Sequence, residues 1–309
     1  MTSAVHNSTP TLGTRRWPEP GALLQLLKPV TWFAPMWALA CGVVASGADL
    51  SLRWTFLLGA IVLAGPLACG TSQIVNDWFD RHVDAVNEPN RPIPSGRVPG
   101  RWGLGFAVVW TLLAAAVAWL LGPVVFGAAV LGLVLAWAYS APPLRLKQSG
   151  WAGVMAVGLS YESIPWFTGA AAVGAGWPPA SSTAVAVLYG VGAFGIMVLN
   201  DFKAVEGDKQ HGVRSLPVQL GVRRAAQVAC LMMLVPQLVV VGLLLSWGQA
   251  VHALIVGILV SVQVGLMLRF LRDPTRHAVW YSASGVTVYV LGMMVSAVAL
   301  RGLATGAVG

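Results

Sequence analysis

Apolar residues run along the chain in nine long blocks, at about residues 32–48, 55–75, 103–121, 123–139, 151–172, 182–199, 225–246, 250–268 and 279–299. Each approaches the length a helix needs to cross roughly 30 Å of hydrocarbon. Only Gly122-Pro123 separates the third block from the fourth, which predicts a tight helical hairpin. The expected fold is therefore an all-α membrane protein with nine transmembrane helices. Residues 20–28, before the first block, predict a short helix lying on the membrane surface. They close a tail of residues 1–30 ahead of a single domain over residues 31–309. No secretory signal is read in the first 30 residues, because no apolar core follows Arg15-Arg16 directly.

Composition agrees with this pattern. Of the 309 residues, 57% are hydrophobic and 10% charged, against about 25% charged in soluble domains. The nine-span arrangement places the N-terminal tail on the same side as the loops after spans 2, 4, 6 and 8. Of the 19 Lys and Arg residues, all but Arg53 and Arg301 then fall on that side. Such a bias marks the cytoplasmic face, so the N-terminus is expected to be cytoplasmic and the C-terminus on the far side. The net charge of +8 follows from this sidedness and calls for no nucleic acid; the lipid bilayer is the expected environment.

The few acids are unevenly placed. Seven of the 11 lie in two short segments, at Asp77, Asp80, Asp84 and Glu88 and at Asp201, Glu206 and Asp208. Each segment opens with Asn-Asp-aromatic after an apolar block, at Asn76-Asp77-Trp78 and Asn200-Asp201-Phe202. Each is followed by Arg-x-x-Pro, from Arg91 to Pro94 and from Arg214 to Pro217. This weak internal repeat suggests two four-helix units whose half-sites face one ligand across a central cavity.

If the second helix continues past residue 76, Asn76, Asp80 and Asp84 share one face. Asp201 and Asp208, seven apart, would share another. Oxygen clusters of this kind suit Mg2+, which bridges carboxylates to phosphate. Arg91, Arg145, Lys147 and Lys203 lie on the same side, and basic groups opposite carboxylates can clamp a diphosphate. Two proline-stiffened loops, Asn87–Gly96 and Tyr139–Lys147, carry the most distinctive of them. Solvated helix ends and ordinary positive-inside charge are the bland alternatives.

These segments resemble the aspartate-rich motifs of the UbiA superfamily of intramembrane prenyltransferases. The first matches the NDxxDxxxD pattern, and Glu206-Gly207-Asp208 stands where a plain Asp-x-x-x-Asp would be. The string Asp80–Gly96, the Ser215-Leu216-Pro217-Val218 segment, and Ser160-Tyr161 with Ile164-Pro165-Trp166 are similar to the chlorophyll and bacteriochlorophyll synthase branch. The likeness covers about residues 25 to 300. It implies a nine-helix bundle around a cavity open to lipid, in a bacterial inner membrane. It implies esterification of the propionate of bacteriochlorophyllide a with a geranylgeranyl or phytyl group from its diphosphate. It further implies Mg2+ held by Asn76, Asp80, Asp84, Asp201, Glu206 and Asp208, and diphosphate held by Arg91, Lys147, Arg145, Lys203 and Tyr139. Tyr161, Glu162 and Trp166 become candidates for tetrapyrrole contact, and other pigment-biosynthesis proteins become candidate partners.

Glu162 falls in mid-span, where a charged acid costs about 2.5–3.5 kcal/mol on insertion scales. It is expected to be protonated or paired, with Gln263 the alternative partner to a ligand. Most of the 14 tryptophans are expected in interfacial belts, and the three cysteines in packing roles. A structural pigment-binding protein would offer mid-membrane histidines, and none of the five lies there. A divalent-cation transporter would place its acids near the bilayer midplane, whereas these lie at helix ends beside basic residues. A quinone or haem prenyltransferase shares the superfamily motifs but not the chlorophyll-synthase-like string.

Overall fold

The computed structural model describes residues 17–210 and 212–306. Arg15, Arg16 and His211 lie outside the described residues. The described residues are helical apart from loops and one isolated β-bridge, between Ser149 and Arg214. A short amphipathic helix, α1 (Pro20–Leu27), precedes α2 (Phe33–Ala45), α3 (Leu50–Val62) and α4 (Gly70–Asn87). The hairpin α5 (Trp102–Leu121) and α6 (Pro123–Ser140) turns at Gly122 as expected. There follow α7 (Ala152–Gly158), α8 (Ile164–Gly174), α9 (Ala180–Asp201), α10 (Val205–Gln210) and α11 (Leu216–Leu220). The long rods α12 (Val222–Ser246), α13 (Ala250–Arg272) and α14 (Pro274–Thr305) complete the chain.

Eight helical stretches among the described residues are long and apolar enough to cross a membrane, one fewer than the pattern predicts. The missing one is the segment expected at 151–172. It is helical, with α7 and α8 joined by a π-type turn at Leu159–Ser163. Its Ser160-Tyr161-Glu162-Ser163 stretch makes it too polar to qualify by composition. Geometry still requires this rod to run the length of the bundle. Both α6 and α9 end on the side that carries the site, so α9 must begin at the far side, where α8 ends.

Helix α1 does not merely rest on a surface. Ala22 and Leu26 are fully buried, and they join Ile74 and Val75 of α4 in one apolar cluster. At its end Lys28 adopts a left-handed conformation (φ 44°), which turns the chain into α2.

Two π turns interrupt the helices around the bundle centre, Leu63–Cys69 between α3 and α4 and Leu159–Ser163 between α7 and α8. The first contains Pro66, which lacks the N–H a regular turn would use. Its carbonyl accepts the indole N–H of Trp110 at 3.2 Å. Such turns widen a helix and often mark functional positions.

In lipid, small residues let helix backbones approach closely. Helices α2 and α8 meet through a reciprocal pair. A Cβ on Gly42 would lie 1.9 Å from the Trp166 carbonyl oxygen, and one on Gly169 2.4 Å from that of Leu39. This contact and the packing of α14 on α2 join the two halves of the bundle.

Candidate functional site

Helix α4 continues through the first acid segment to Asn87, so the predicted face forms. Asn76 Nδ2 donates to Asp80 Oδ2 at 3.0 Å and to Ser140 Oγ at 3.3 Å. The other Asp80 oxygen takes the Lys147 ammonium, with Arg145 Nη2 at 3.7 Å. Asp84, one turn on, accepts from Arg91 Nη1 at 2.9 Å. Arg91, Arg145 and Lys147 thus converge on the first cluster. Like Lys28, Arg145 holds a strained left-handed backbone (φ 38°). The 149–150 segment that follows Lys147 is fastened by a hydrogen bond from Gly150 N to Arg214 O at 2.9 Å.

Charge and burial act together here. Burial pulls the Arg91 guanidinium down, but the carboxylates of Asp84 and Asp77 outweigh it and hold it above its ordinary value. Burial lowers the Lys147 ammonium below the usual lysine range, against the opposing pull of Asp80.

Three participants, Asp77, Lys28 and Ser140, were given no site role from sequence. Asp77 is 1% exposed and pairs with Lys28 Nζ at 2.6 Å and Arg91 Nη1 at 3.5 Å. It therefore locks α1 and the Arg91 loop to α4. Lys28 had counted only toward sidedness; its position just before the first span, 49 residues from Asp77, offered no local signal. Ser140 likewise joins Asn76 only through tertiary packing.

The second cluster departs from expectation. Helix α9 stops at Asp201, and the chain turns through residues 202–204 before α10. Asp201 and Asp208 are thus not on one continuous helix. Phe202 is buried against the Phe270 ring at 5.7 Å while Lys203 is exposed, so the turn is set by packing. Asp201 and Asp208 remain electrostatically coupled. Glu206 instead faces solvent beside Lys209 at 3.8 Å. Lys203 and Arg214 are both exposed, unlike Arg91, the counterpart of Arg214 in the first half.

The two clusters meet at Tyr139, which lies within electrostatic reach of both Asp80 and Asp201. Asn76 and Asn200, the opening residues of the two segments, line one cavity of about 540 Å³ together with Tyr139. Below this polar mouth the wall is mostly apolar, built from α2, the first π turn, α6, the second π turn and α9. Tyr161 and Glu162 line it from the second π turn. The Tyr161 hydroxyl accepts Gln73 Nε2 at 3.0 Å. Gln263 is not the partner of Glu162, because it bonds Gln237 at 2.8 Å and Tyr281 at 3.4 Å. Trp166 stands apart from the cavity wall. It is fully buried, donates to Ser182 Oγ at 3.1 Å and stacks on Tyr189 at 6.1 Å.

Among the described residues no three His, Cys, Asp or Glu side chains form a ready-made metal cage. The expected metal ligands are held apart by lysine, arginine and the turn at 202–204. The donor set still fits Mg2+, which takes one or two carboxylates and completes its shell with water and phosphate oxygens. Asp80 and Asp84 of α4, and Asp201 at the end of α9 with Asp208 beyond it, offer hard oxygens near the mouth that Asn76, Tyr139 and Asn200 line.

The model of the UbiA prenyltransferase family matches residues 33–300. The bacteriochlorophyll synthase 33 kDa chain of Cereibacter sphaeroides is 56% identical, over 94% of this chain and 97% of that one. The protein of the same description from Rhodobacter capsulatus is 50% identical, over 93% and 96%. In three dimensions a UbiA homolog from Archaeoglobus fulgidus, solved with GPP and Mg2+, superimposes with a TM-score of 0.66 at 18% identity, covering 88% of this chain and 99% of that one.

Proposed function

Because the chain belongs to the UbiA prenyltransferase family, we propose that it esterifies the propionate of bacteriochlorophyllide a with a geranylgeranyl or phytyl group from the corresponding diphosphate. The observation that carries this reading is the two-ended cavity, with a mouth lined by Asn76, Tyr139 and Asn200 beside the ion-paired acids and bases of the first cluster, and a mostly apolar interior. A prenyl diphosphate has the same two ends. Both substrates are greasy, and a membrane-embedded cavity can receive them from the bilayer.

Asn76, Asp80, Asp84, Asp201 and Asp208 would hold Mg2+, which neutralises the diphosphate as it departs. Glu206, turned to solvent beside Lys209, is the weaker ligand of the second cluster. Lys147, Arg145 and Arg91 pair with the carboxylates of the first cluster, and the same groups would grip the phosphate oxygens of a bound diphosphate. Tyr139 lines the mouth of the cavity between the two clusters and would contact the diphosphate there. The acceptor needs no general base. A propionate ionises near the Glu value of about 4.3, so holding it beside the allylic carbon suffices. The sidedness of the basic residues supports a cytoplasmic mouth and N-terminus in a bacterial inner membrane. Residues 31–309 then form one catalytic domain behind the tail of residues 1–30.

The test is direct. Purified protein given geranylgeranyl diphosphate, Mg2+ and bacteriochlorophyllide a should form the ester, at a rate nearly level between about pH 6.5 and 8.5, above the acceptor's ionisation. Prenylation of a hydroxybenzoate or of haem, with no ester on the bacteriochlorophyllide, would overturn the substrate assignment.

A further inference from the structure

Glu162 is the one acid on the cavity wall away from the mouth, and the chemistry just proposed leaves it without a task. It is 6% exposed, and its Oε2 has no hydrogen-bond partner. Among the described residues no lysine or arginine lies within ion-pair distance of it. The ionisable groups within electrostatic range are Cys41 of α2 and Tyr289 of α14; neither offers a positive charge, so Glu162 keeps its proton and can donate it to a carbonyl oxygen. An unsatisfied buried polar group costs about 1–3 kcal/mol, and the cost is relieved if a ligand completes the hydrogen bond. The π turn at Leu159–Ser163 brings Tyr161 and Glu162 onto the cavity wall together. Tyr161 is satisfied by Gln73, so only Glu162 is left open.

Depth selects the ligand. Ser163 abuts Gly190 of α9, ten residues from Asn200 at the mouth, which is about 15 Å at 1.5 Å per residue. A prenyl chain reaching that depth offers no polar atom. A tetrapyrrole whose propionate is held at the mouth offers carbonyls on its rim. The ketone of the fused fifth ring lies beside the propionate and stays near the mouth. The acetyl group lies on the neighbouring pyrrole ring, on the edge turned away from the fifth ring, so its carbonyl reaches deeper than the ketone.

We propose that the Glu162 carboxyl hydrogen-bonds this remote acetyl carbonyl and so selects acceptors that carry it. The inference rests on the tetrapyrrole reading above. It makes Glu162 a specificity determinant for the acceptor, with no part in ionising the donor.

The experiment combines resonance Raman spectroscopy with acceptor kinetics. Bacteriochlorophyllide a bound to the wild-type protein should show its acetyl C=O stretch shifted to lower frequency, and in Glu162→Leu the band should return to the free position. The same variant should raise KM for the acetyl acceptor about tenfold, the scale of one lost hydrogen bond. KM for the prenyl diphosphate, and for a bacteriochlorophyllide with vinyl in place of acetyl, should stay unchanged. Glu162→Gln, which keeps a donor and an acceptor, should restore part of the discrimination. An unshifted acetyl band in the wild type, or equal wild-type KM values for the acetyl and vinyl acceptors, overturns the proposal; both are read without any variant, should Glu162→Leu not insert. If the wild type binds no bacteriochlorophyllide at all, the parent reading falls and this one with it. Normal esterification with an unshifted band removes only the Glu162 contact.

Discussion

Lys147→Ala isolates the diphosphate grip from the metal site. The Lys147 ammonium sits on Asp80, and both side chains are largely buried, at 16% and 21% exposure. Removing it does not orphan Asp80, which keeps Asn76 at 3.0 Å and Arg145 at 3.7 Å. Folding stability should therefore drop by only about 1–2 kcal/mol. The functional loss should be larger. A charge-assisted hydrogen bond to phosphate is worth about 1.5–3 kcal/mol, and at about 1.4 kcal/mol per decade this is roughly a 10- to 150-fold fall in kcat/KM for the donor. Asp80 meanwhile loses a competing cation, so the Mg2+ concentration for half-maximal rate should stay level or fall. Lys147→Arg should lie between, because charge persists without the compact ammonium. Initial rates by chromatography of the esterified pigment, at varied donor and varied Mg2+, measure both quantities in protein shown to be monodisperse. Donor kcat/KM within twofold of wild type would refute the clamp. A raised Mg2+ requirement with unchanged donor KM would place Lys147 in the metal's surroundings instead.

Asp80→Ala, Asp84→Ala, Asp201→Ala and Asp208→Ala should each abolish most turnover while the protein still inserts, and EDTA should stop the wild type until Mg2+ is returned; full activity in EDTA or in any two variants contradicts the metal reading. Gly42→Ala should destabilise the protein by about 3 kcal/mol, seen as a lower Tm in detergent, because its Cβ would meet the Trp166 carbonyl oxygen at 1.9 Å and carbon at 2.7 Å, both backbone atoms. Single cysteines introduced at residues 85–100 and 205–220 should label from the cytoplasm and one near the C-terminus from the opposite side; a cytoplasmic C-terminus would break the nine-span topology.

The sequence by itself determined the helices, their approximate ends and the gathering of acids and bases at one end of the bundle. Each is a response to solvent. Long apolar runs in a bilayer have little choice but to satisfy their backbone as helices, and charged residues stay at the ends because the interior is costly for them. The face shared by Asn76, Asp80 and Asp84 was legible for the same reason, since it needs only the helical repeat within α4.

Which base meets which acid was decided only in three dimensions. Lys28 reaches Asp77 across 49 residues and Lys147 reaches Asp80 across 67, through helix approaches set by small residues and strained turns. The turn at 202–204, which separates Asp201 from Asp208, follows from where Phe202 packs, and no local propensity announces it. Hydropathy could not distinguish Trp166 from Glu162 as ligand contacts, because both sit in one apolar helix. The π turn puts Glu162 on the cavity wall, and the stacking of Trp166 on Tyr189 fixes it in the core. Hydropathy reports what a residue avoids; its partner is chosen by packing between helices far apart in the chain.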